Sequence, residues 1–360
     1  GIYEVRTSLQ GFKPSVQSGL DITIGRSIDL KLTLEVGGLT ESITVEGSSA
    51  KVDARTTATD TNISQDLLFS MPISRANPAV SMLNYAPGIN SSSAFGGAAG
   101  SANSLLLDGV DTRDPEGGTP WTFFNYNIIE QVQVGSLGQS AEFGGFSGAV
   151  INTVTKSGSN RFAGLFEQRY TSKGLRGDNV SSAVSALNPS IKATGVDKLK
   201  DYTVQMSGPI RENKAFFFAS VQRYAIEQDP DGPRTLRTEV SPRFNLKLTF
   251  QPSPSDNIVI STQYDQYNQG GRTGLGGTNG TTDARVVQQD SPEMIYNAQY
   301  RKVMGNTAFF EAKFTGYWGY FDLDPLTPTS ARLDGDTGAW SGGAGYSAQY
   351  DRTRNQLNVS

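Results

Sequence analysis

Between residues 244 and 318, apolar and polar side chains take turns with a period of two. Phe244, Leu246, Leu248 and Phe250 alternate with Asn245, Lys247 and Thr249. Ile258, Ile260, Thr262 and Tyr264 alternate with Val259, Ser261, Gln263 and Asp265. Tyr296, Ala298 and Tyr300 alternate with Asn297, Gln299 and Arg301, and Phe310, Ala312, Phe314 and Trp318 with Glu311, Lys313, Thr315 and Gly319. Only an extended chain sends successive side chains to opposite faces, so these runs predict strands with two unlike surfaces. The connections come in two kinds. PIRENK, QPSPSDN and KVMGNT are short polar turns, whereas 227–238, 268–292 and 322–345 are long and rich in Gly, Asp and Thr. A soluble sandwich accounts for the alternation, but not for the turn asymmetry or for inner positions filled by Lys, Gln and Arg. Both features, with aromatics near the strand ends, favour an antiparallel transmembrane barrel.

Composition closes off other classes. The 360 residues carry 31 Lys+Arg against 35 Asp+Glu, a net charge of −4, without any basic block, so no nucleic-acid partner is expected. There is no Cys and no His. Disulfide frameworks, Cys/His zinc sites, Cys nucleophiles and His-based triads all require one or the other. No catalytic residue, cofactor or metal is therefore expected, and the chain does not read as an enzyme. No apolar run approaches the roughly 18 residues of a membrane helix, which does not bear on a barrel. The start GIYEV shows no signal peptide and the end RNQLNVS falls inside a strand pattern, so the sequence reads as a fragment.

Two further textures precede the barrel pattern. In residues 1–39, YEVRTSL and LDITIGRSIDLKLTLEV are strand-like, with Ile28, Leu30, Leu32 and Leu34 alternating with Ser27, Asp29, Lys31 and Thr33. This predicts the end of a small antiparallel sandwich. After residue 40 short helices appear in ISQDLLFSMP and ANPAVSMLNYAPG, the second with Asn77 as N-cap, Pro78 at the first helical position and Pro87-Gly88 closing it. Gly/Ser-rich loops and the strands SLLLDGV, IIEQVQVG and AVINTVTK complete an α+β unit.

That unit ends in AEFGGFSGAVINTVTKSGSN. As a phosphate loop it fails, because G-x-G-x-x-G spacing is missing and a β-branched strand follows instead of a helix. As a nucleophile elbow around Ser147 it lacks both the G-x-S-x-G spacing and a His base. A tight turn, a strand and a hinge at a change of texture make a junction between domains.

IIEQVQVGSLGQSAEFGGFSGAVINTVTKSGSNRFAG resembles the end of the plug domain of TonB-dependent outer-membrane receptors passing into the first barrel strand, with LLLDGVD resembling the plug strand and turn upstream. MPISRANPAVSMLNYAPGI is similar to the early plug helix, and residues 1–39 resemble the end of a carboxypeptidase-regulatory-like, transthyretin-like domain, the order found in the Oar-like branch. The resemblance implies a mainly β chain in four parts. These are the C-terminal part of a small β-sandwich (1–39), a TonB box and linker (40–60), an α+β plug domain (61–157) and the first strands of a large outer-membrane barrel (158–360). About 20 or more strands are needed to close a barrel around a folded plug, so the rest of the wall is expected beyond Ser360.

The resemblance also implies roles. TESITVEGS contains Glu41, Ser42, Ile43, Thr44, Val45 and Glu46, which resemble a TonB box gripped by strand addition. The other reading of this segment, the last strand of the N-terminal sandwich, stays open. Gly144, Gly145, Gly148, Asn152, Lys156 and Gly158 fall at the plug hinge, where glycine permits positive φ and close backbone approach. Asp111, Asp114, Trp121, Phe123, Phe124 and Tyr126 are candidate ligand contacts, and the aromatic four fit a second role equally well, as a wedge against the wall. Asp108, Asp111, Asp114 and Glu116, and separately Asp334 and Asp336, lack calcium-loop spacing and read as solvated turns. The family implies gated uptake of a small solute (sugar, peptide or metal chelate) in the bacterial outer membrane, with TonB and ExbB–ExbD as partners, the N-terminal domain in the periplasm and outer-membrane lipid around the wall. The alternative is a surface adhesin or an export component on the same scaffold.

Overall fold

A computed structural model describes residues 2–24, 30, 32–37, 43–46, 60–78, 81, 85, 88–90, 93–94, 102–118, 121–135, 139, 145–177, 180–188, 195–229, 236–273, 285–305 and 307–360. Three sheets carry most of it. The first joins β1 (Ile2–Thr7), antiparallel to β2 (Ser15–Asp21), with β3 (Ile43–Glu46) running parallel to β2 at the sheet edge. The strand expected over residues 27–34 is not formed in the part described. Leu30 and Leu32–Glu35 are coil, and the nearest pairing is the single bridge Phe12↔Val36. A period of two specifies which faces are unlike, but without a neighbouring ladder the backbone groups have no reason to stay extended.

The second sheet forms the unit expected to be the plug. It contains β4 (Asp60–Ser64), β7 (Ser104–Leu107), β8 (Val110–Asp111), β9 (Ile129–Gly135) and β10 (Val150–Thr155) in the order β4-β9-β10-β7-β8, with β10 parallel to β7 and antiparallel to β9. Helix α1 (Gln65–Ser70) follows β4 directly. Among the residues expected in the second helix, Pro78 and Ser81 are helical and the Ser81 N–H donates to the Asn77 carbonyl at 3.3 Å. A two-residue-strand hairpin, β5 (Ile89–Asn90) with β6 (Ser93–Ala94), lies farther along. The core of the plug is built from Ile63, Leu68, Leu105, Leu107, Phe124, Ile128, Val132 and Ile151, and it runs without a break onto Phe218, Ile295 and Tyr317 of the third sheet.

That third sheet is the wall: β11 (Ala163–Ser172), β12 (Gly195–Arg211), β13 (Ala215–Asp229), β14 (Arg237–Phe250), β15 (Asp256–Thr273), β16 (Val286–Met304), β17 (Ala308–Pro325) and β20 (Ala348–Val359), antiparallel throughout and in chain order. The last long loop carries a small hairpin of β18 (Arg332–Leu333) and β19 (Trp340–Ser341). The strands β12 to β17, of 14 to 19 residues, exceed the 9–11 or so that cross a bilayer. They extend into stretches that the sequence assigns to loops, since 227–229, 268–273, 286–292 and 322–325 all belong to strands. In these stretches inward positions stay buried, but Gln269, Gln289 and Ser291 among them are polar, so the apolar–polar alternation fades while the ladder of backbone hydrogen bonds continues.

Short turns lie at one end of the wall and long connections at the other. The plug leaves toward the short-turn end: Asn160 donates to Asn213 Oδ1 at 2.6 Å, and the Asn213 N–H donates back at 2.8 Å. Asn213, in the β12–β13 turn, has φ +59°, a conformation that asparagine tolerates. Inward-facing positions fall in rows across the strands. One row reads Glu167, Thr203, Gln222, Arg243, Asp265, Glu293, Gly319 and Arg352, each aligned with the next. The opposite face carries Val204, Val221, Phe244, Ile260, Phe314 and Trp318, all exposed.

Candidate functional site: the plug–wall interface

The hairpin between β7 and β8 turns on two residues, Asp108 (φ +50°) and Gly109 (φ +71°). Both central positions of such a turn need positive φ, which is why Asp-Gly stands here. The turn delivers the Asp108 carboxylate to three donors: the Thr155 N–H (3.0 Å), the Thr155 hydroxyl (2.6 Å) and the Lys247 ammonium of the wall (3.0 Å). Lys247 also donates to the Thr155 carbonyl at 3.1 Å, while Lys313 donates to the Gly109 and Asp108 carbonyls at 2.8 and 3.2 Å. The tip of one plug hairpin and the end of the last plug strand are thus fastened between two lysines of β14 and β17. The side chains of Asp108 and Lys247 are 11% and 9% exposed, so each charge depends on the other.

A second contact is centred on Arg243, which is fully buried in β14. Its guanidinium donates to the carbonyls of Arg75 (3.0 Å), Ala76 (2.8 Å) and Phe124 (3.1 Å), and it lies 5.2 Å over the Tyr224 ring. Arg75 reciprocates from the plug, pairing with Glu167 at 2.6 Å and Asp201 at 2.9 Å and covering the ring of Tyr126. Guanidinium suits both places, because its planar fork serves several acceptors while keeping its charge. A third contact gathers the acidic turn. Arg352 of β20 lies 3.3 Å from Asp114, 3.4 Å from Glu116 and 3.9 Å from Glu293, and Arg354 lies 3.6 Å from Asp111. Gly319 stands between Glu293 and Arg352 in the row; a Cβ there would come within 2.7 Å of the Pro292 carbonyl and 3.2 Å of the Glu293 side chain.

The six candidate ligand residues divide accordingly. Asp111 is held by Arg113 (2.8 Å) as well as Arg354, and Asp114 by Arg352. Donating to the Asp111 carboxylate raises the Arg113 pKa above its ordinary value despite partial burial. Trp121 and Phe123 meet the wall: Phe123 stacks on Tyr267 at 4.5 Å, and Trp121 packs edge-on against Phe123, Tyr267 and Phe321. Phe124 and Tyr126 belong to the plug core instead, where burial raises the Tyr126 pKa. The structure therefore brings Asp111, Asp114, Trp121 and Phe123 to one surface of the plug and keeps the other two out of it.

Among the hinge residues, Gly145 adopts φ +76° and its carbonyl accepts from Arg113 at 2.9 Å. The Gly148 N–H donates to the Ala102 carbonyl at 3.0 Å, and Asn152 lies in β10 between Leu106 and Gln133. The Lys156 N–H closes the plug sheet onto the Ile128 carbonyl at 2.8 Å, and burial lowers the pKa of its ammonium. At Gly158 a Cβ would fall 2.3 Å from the Phe217 carbonyl oxygen, so the chain passes against β13 only without a side chain. Gly144 lies outside the described residues. Of the six residues resembling a TonB box, Glu41 and Ser42 also lie outside them, while Ile43–Glu46 form β3, paired with Ser15–Ser18. In the long loop, Asp334 accepts from the N–H groups of Asp336 (3.0 Å) and Thr337 (2.8 Å), which holds its pKa below the ordinary value.

Sequence reasoning did not single out Asp108 as a clamp, nor Arg75, Lys247, Arg243, Lys313, Arg352 and Arg354. Part of the signal is there, since the alternation turns Lys247 and Lys313 inward. What they would meet depends on the plug docking between strands far away in the chain.

No family model matches the chain. It is 26% identical over 232 residues to the TonB-dependent transporter Oar of Myxococcus xanthus, a match covering 61% of this chain and 22% of that protein. Among solved structures, the ferric enterobactin receptor PfeA of Pseudomonas aeruginosa aligns with a TM-score of 0.57 at 13% identity, over 83% of this chain and 45% of that one. The outer-membrane transporter YddB of Escherichia coli aligns at 0.54 and 14% identity, over 83% and 44%. The alcaligin outer-membrane receptor FauA of Bordetella pertussis aligns at 0.52 and 12% identity, over 79% and 45%. The fold is that of the TonB-dependent outer-membrane receptors. The chain spans about a fifth of the length of the curated relative and under half of these structures. These similar proteins are named as transporters and receptors, not enzymes. In this fold the exposed apolar rows of the wall face the outer membrane and the charged rows face the plug.

Proposed function

We propose that this chain is the plug and adjoining wall of a transporter that takes up a scarce solute across the outer membrane, with the plug remodelled by force from TonB, energised by ExbB–ExbD. The observation that carries the reading is the chemistry of the plug–wall contact. A permanent stopper is best cemented by apolar surface, whose exposure to water is costly. Here the fastenings on Asp108, Arg75 and Asp114 are ionic, and hydration recovers much of their energy when water enters. Beside the apolar core shared with Phe218, Ile295 and Tyr317, these ionic contacts are specific when closed and are the part of the interface that water can release.

The solute is a sugar, peptide or metal chelate bound where Asp111, Asp114, Trp121 and Phe123 meet the long wall loops. Residues 41–46 act as the TonB box. Since Ile43–Glu46 are paired with β2 in this state, TonB engages them at the free edge of β3 or after β3 leaves the sheet. The test is binding of the purified periplasmic domain of TonB to a peptide of residues 38–50, beside the same peptide carrying Ile43→Pro, which removes a backbone donor. Binding to the native peptide that is lost with proline supports energised transport. Absence of binding to both returns the segment to the N-terminal sheet and overturns the role of the box.

A further inference from the structure

The outward face of β11–β14 has a feature that neither plug nor solute uses. Phe166, Val204, Val221 and Phe244 form an aligned, exposed apolar row across the four strands. Farther from the short turns the character changes abruptly. Asp201 is buried and inward, so its neighbour Lys200 points outward. Arg223, between buried Gln222 and Tyr224, does the same. The pairings Tyr202↔Arg223 and Lys200↔Ala225 make the two cations diagonal neighbours, with Tyr202 and Tyr170 beside them on the same face. Both cations are exposed, and among the described residues no ion pair is recorded for either. The nearby carboxylate of Glu227 lies 3.9 Å from Lys198 instead.

We propose that Lys200 and Arg223 form a binding site for a phosphate group of an outer-leaflet glycolipid, whose acyl chains lie along the Phe166–Phe244 row. A cation on the lipid face is costly near the midplane and tolerated near the interface, so an outward Arg beside an apolar row marks the headgroup level. Guanidinium offers a phosphate two parallel donors and ammonium adds a point charge. The site is also local. Along the wall, outward positions at the same end of β16 and β17 are Asp290 and Asp322, which repel a phosphate. Charge complementarity and continuity with the apolar row therefore select an anionic lipid. The site belongs to the wall alone, so it stands whether or not TonB drives the plug.

The test uses the full-length protein, delipidated in detergent and titrated with bisphosphorylated lipid A, with the same lipid stripped of phosphate, and with inorganic phosphate, read by native mass spectrometry. Lipid A should bind, with the other two probes weaker by about tenfold or more. The double substitution Lys200→Gln/Arg223→Gln should abolish that preference, and Lys200→Arg should keep it. Unchanged thermal unfolding of the double variant separates loss of the site from loss of the fold. Equal binding of the two lipids, equally tight binding of inorganic phosphate, or full retention by the folded double variant would overturn the assignment.

Discussion

Asp108 shows how much one residue can be asked to do. It adopts positive φ, accepts from the last plug strand and neutralises a lysine of the wall. Asparagine keeps the turn but not the charge, so Asp108→Asn leaves Lys247 buried beside a neutral group. We expect a loss of about 3 kcal/mol in plug stability, read by hydrogen exchange in β7–β8 and β10, and largely restored when Lys247→Met is added. Gly158 makes a different demand. Its φ is ordinary, but Gly158→Ala drives a Cβ into the β13 backbone. That overpacking should cost about 1–3 kcal/mol and lower the thermal midpoint, whereas alanine at Gly174, with open space around it, should leave the midpoint unchanged. Gly-rich sequence marked the junction as a whole; which glycine abuts backbone was set by a strand some 60 residues away and could not be read locally.

At the level of elements, legibility followed the contrast between a strand's two faces. Where one face of a strand meets lipid and the other the plug, as in Phe244–Phe250, the alternation is sharp and identifies the strand. In 268–273 the inner face is still buried, as at Gln269, but the stretch consists of Asn, Gln, Gly, Arg and Thr, so the same ladder carries no apolar–polar signal and reads as loop. The converse holds at Leu30–Leu34, where the pattern was present and the described residues formed no ladder. The β18–β19 hairpin offers a titration test. Asp334 has a depressed pKa because backbone N–H groups hold its carboxylate. A depressed carboxylate adds stability above its unfolded pKa and loses it as pH falls through the folded value. Amide protection across β18–β19 should therefore hold at neutral pH and decline only in acid below the ordinary aspartate range. Asp334→Ala should remove that pH dependence.

For the molecule as a whole, the plug–wall contact combines a shared apolar core with buried ion pairs. Salt acts strongly on exposed charges, as the Debye length shrinks from about 10 Å at 0.1 M to about 3 Å at 1 M, and weakly on desolvated pairs. Hydrogen exchange of plug amides should accordingly be nearly the same in 0.1 M and 1 M NaCl. Marked acceleration in high salt would mean that water already reaches Lys247 and Arg75. The wall's two faces were legible from alternation, and the fold from long motifs near the junction. The partners of the inward charges were not, because they depend on docking between segments such as Gly109 and Lys313, joined only in three dimensions.

The inward row from Glu167 to Arg352 has a consequence for how such a wall is put together. Because side chains change face at every residue, a strand that zips up one position out of step turns its whole inner set toward hydrocarbon. For β14, β15 or β16 that error would strand Arg243, Asp265 or Glu293 in lipid, where an unpaired charge is heavily penalised. The inward charges of the finished wall thus also make a one-residue slip of these strands costly, which helps to fix their register.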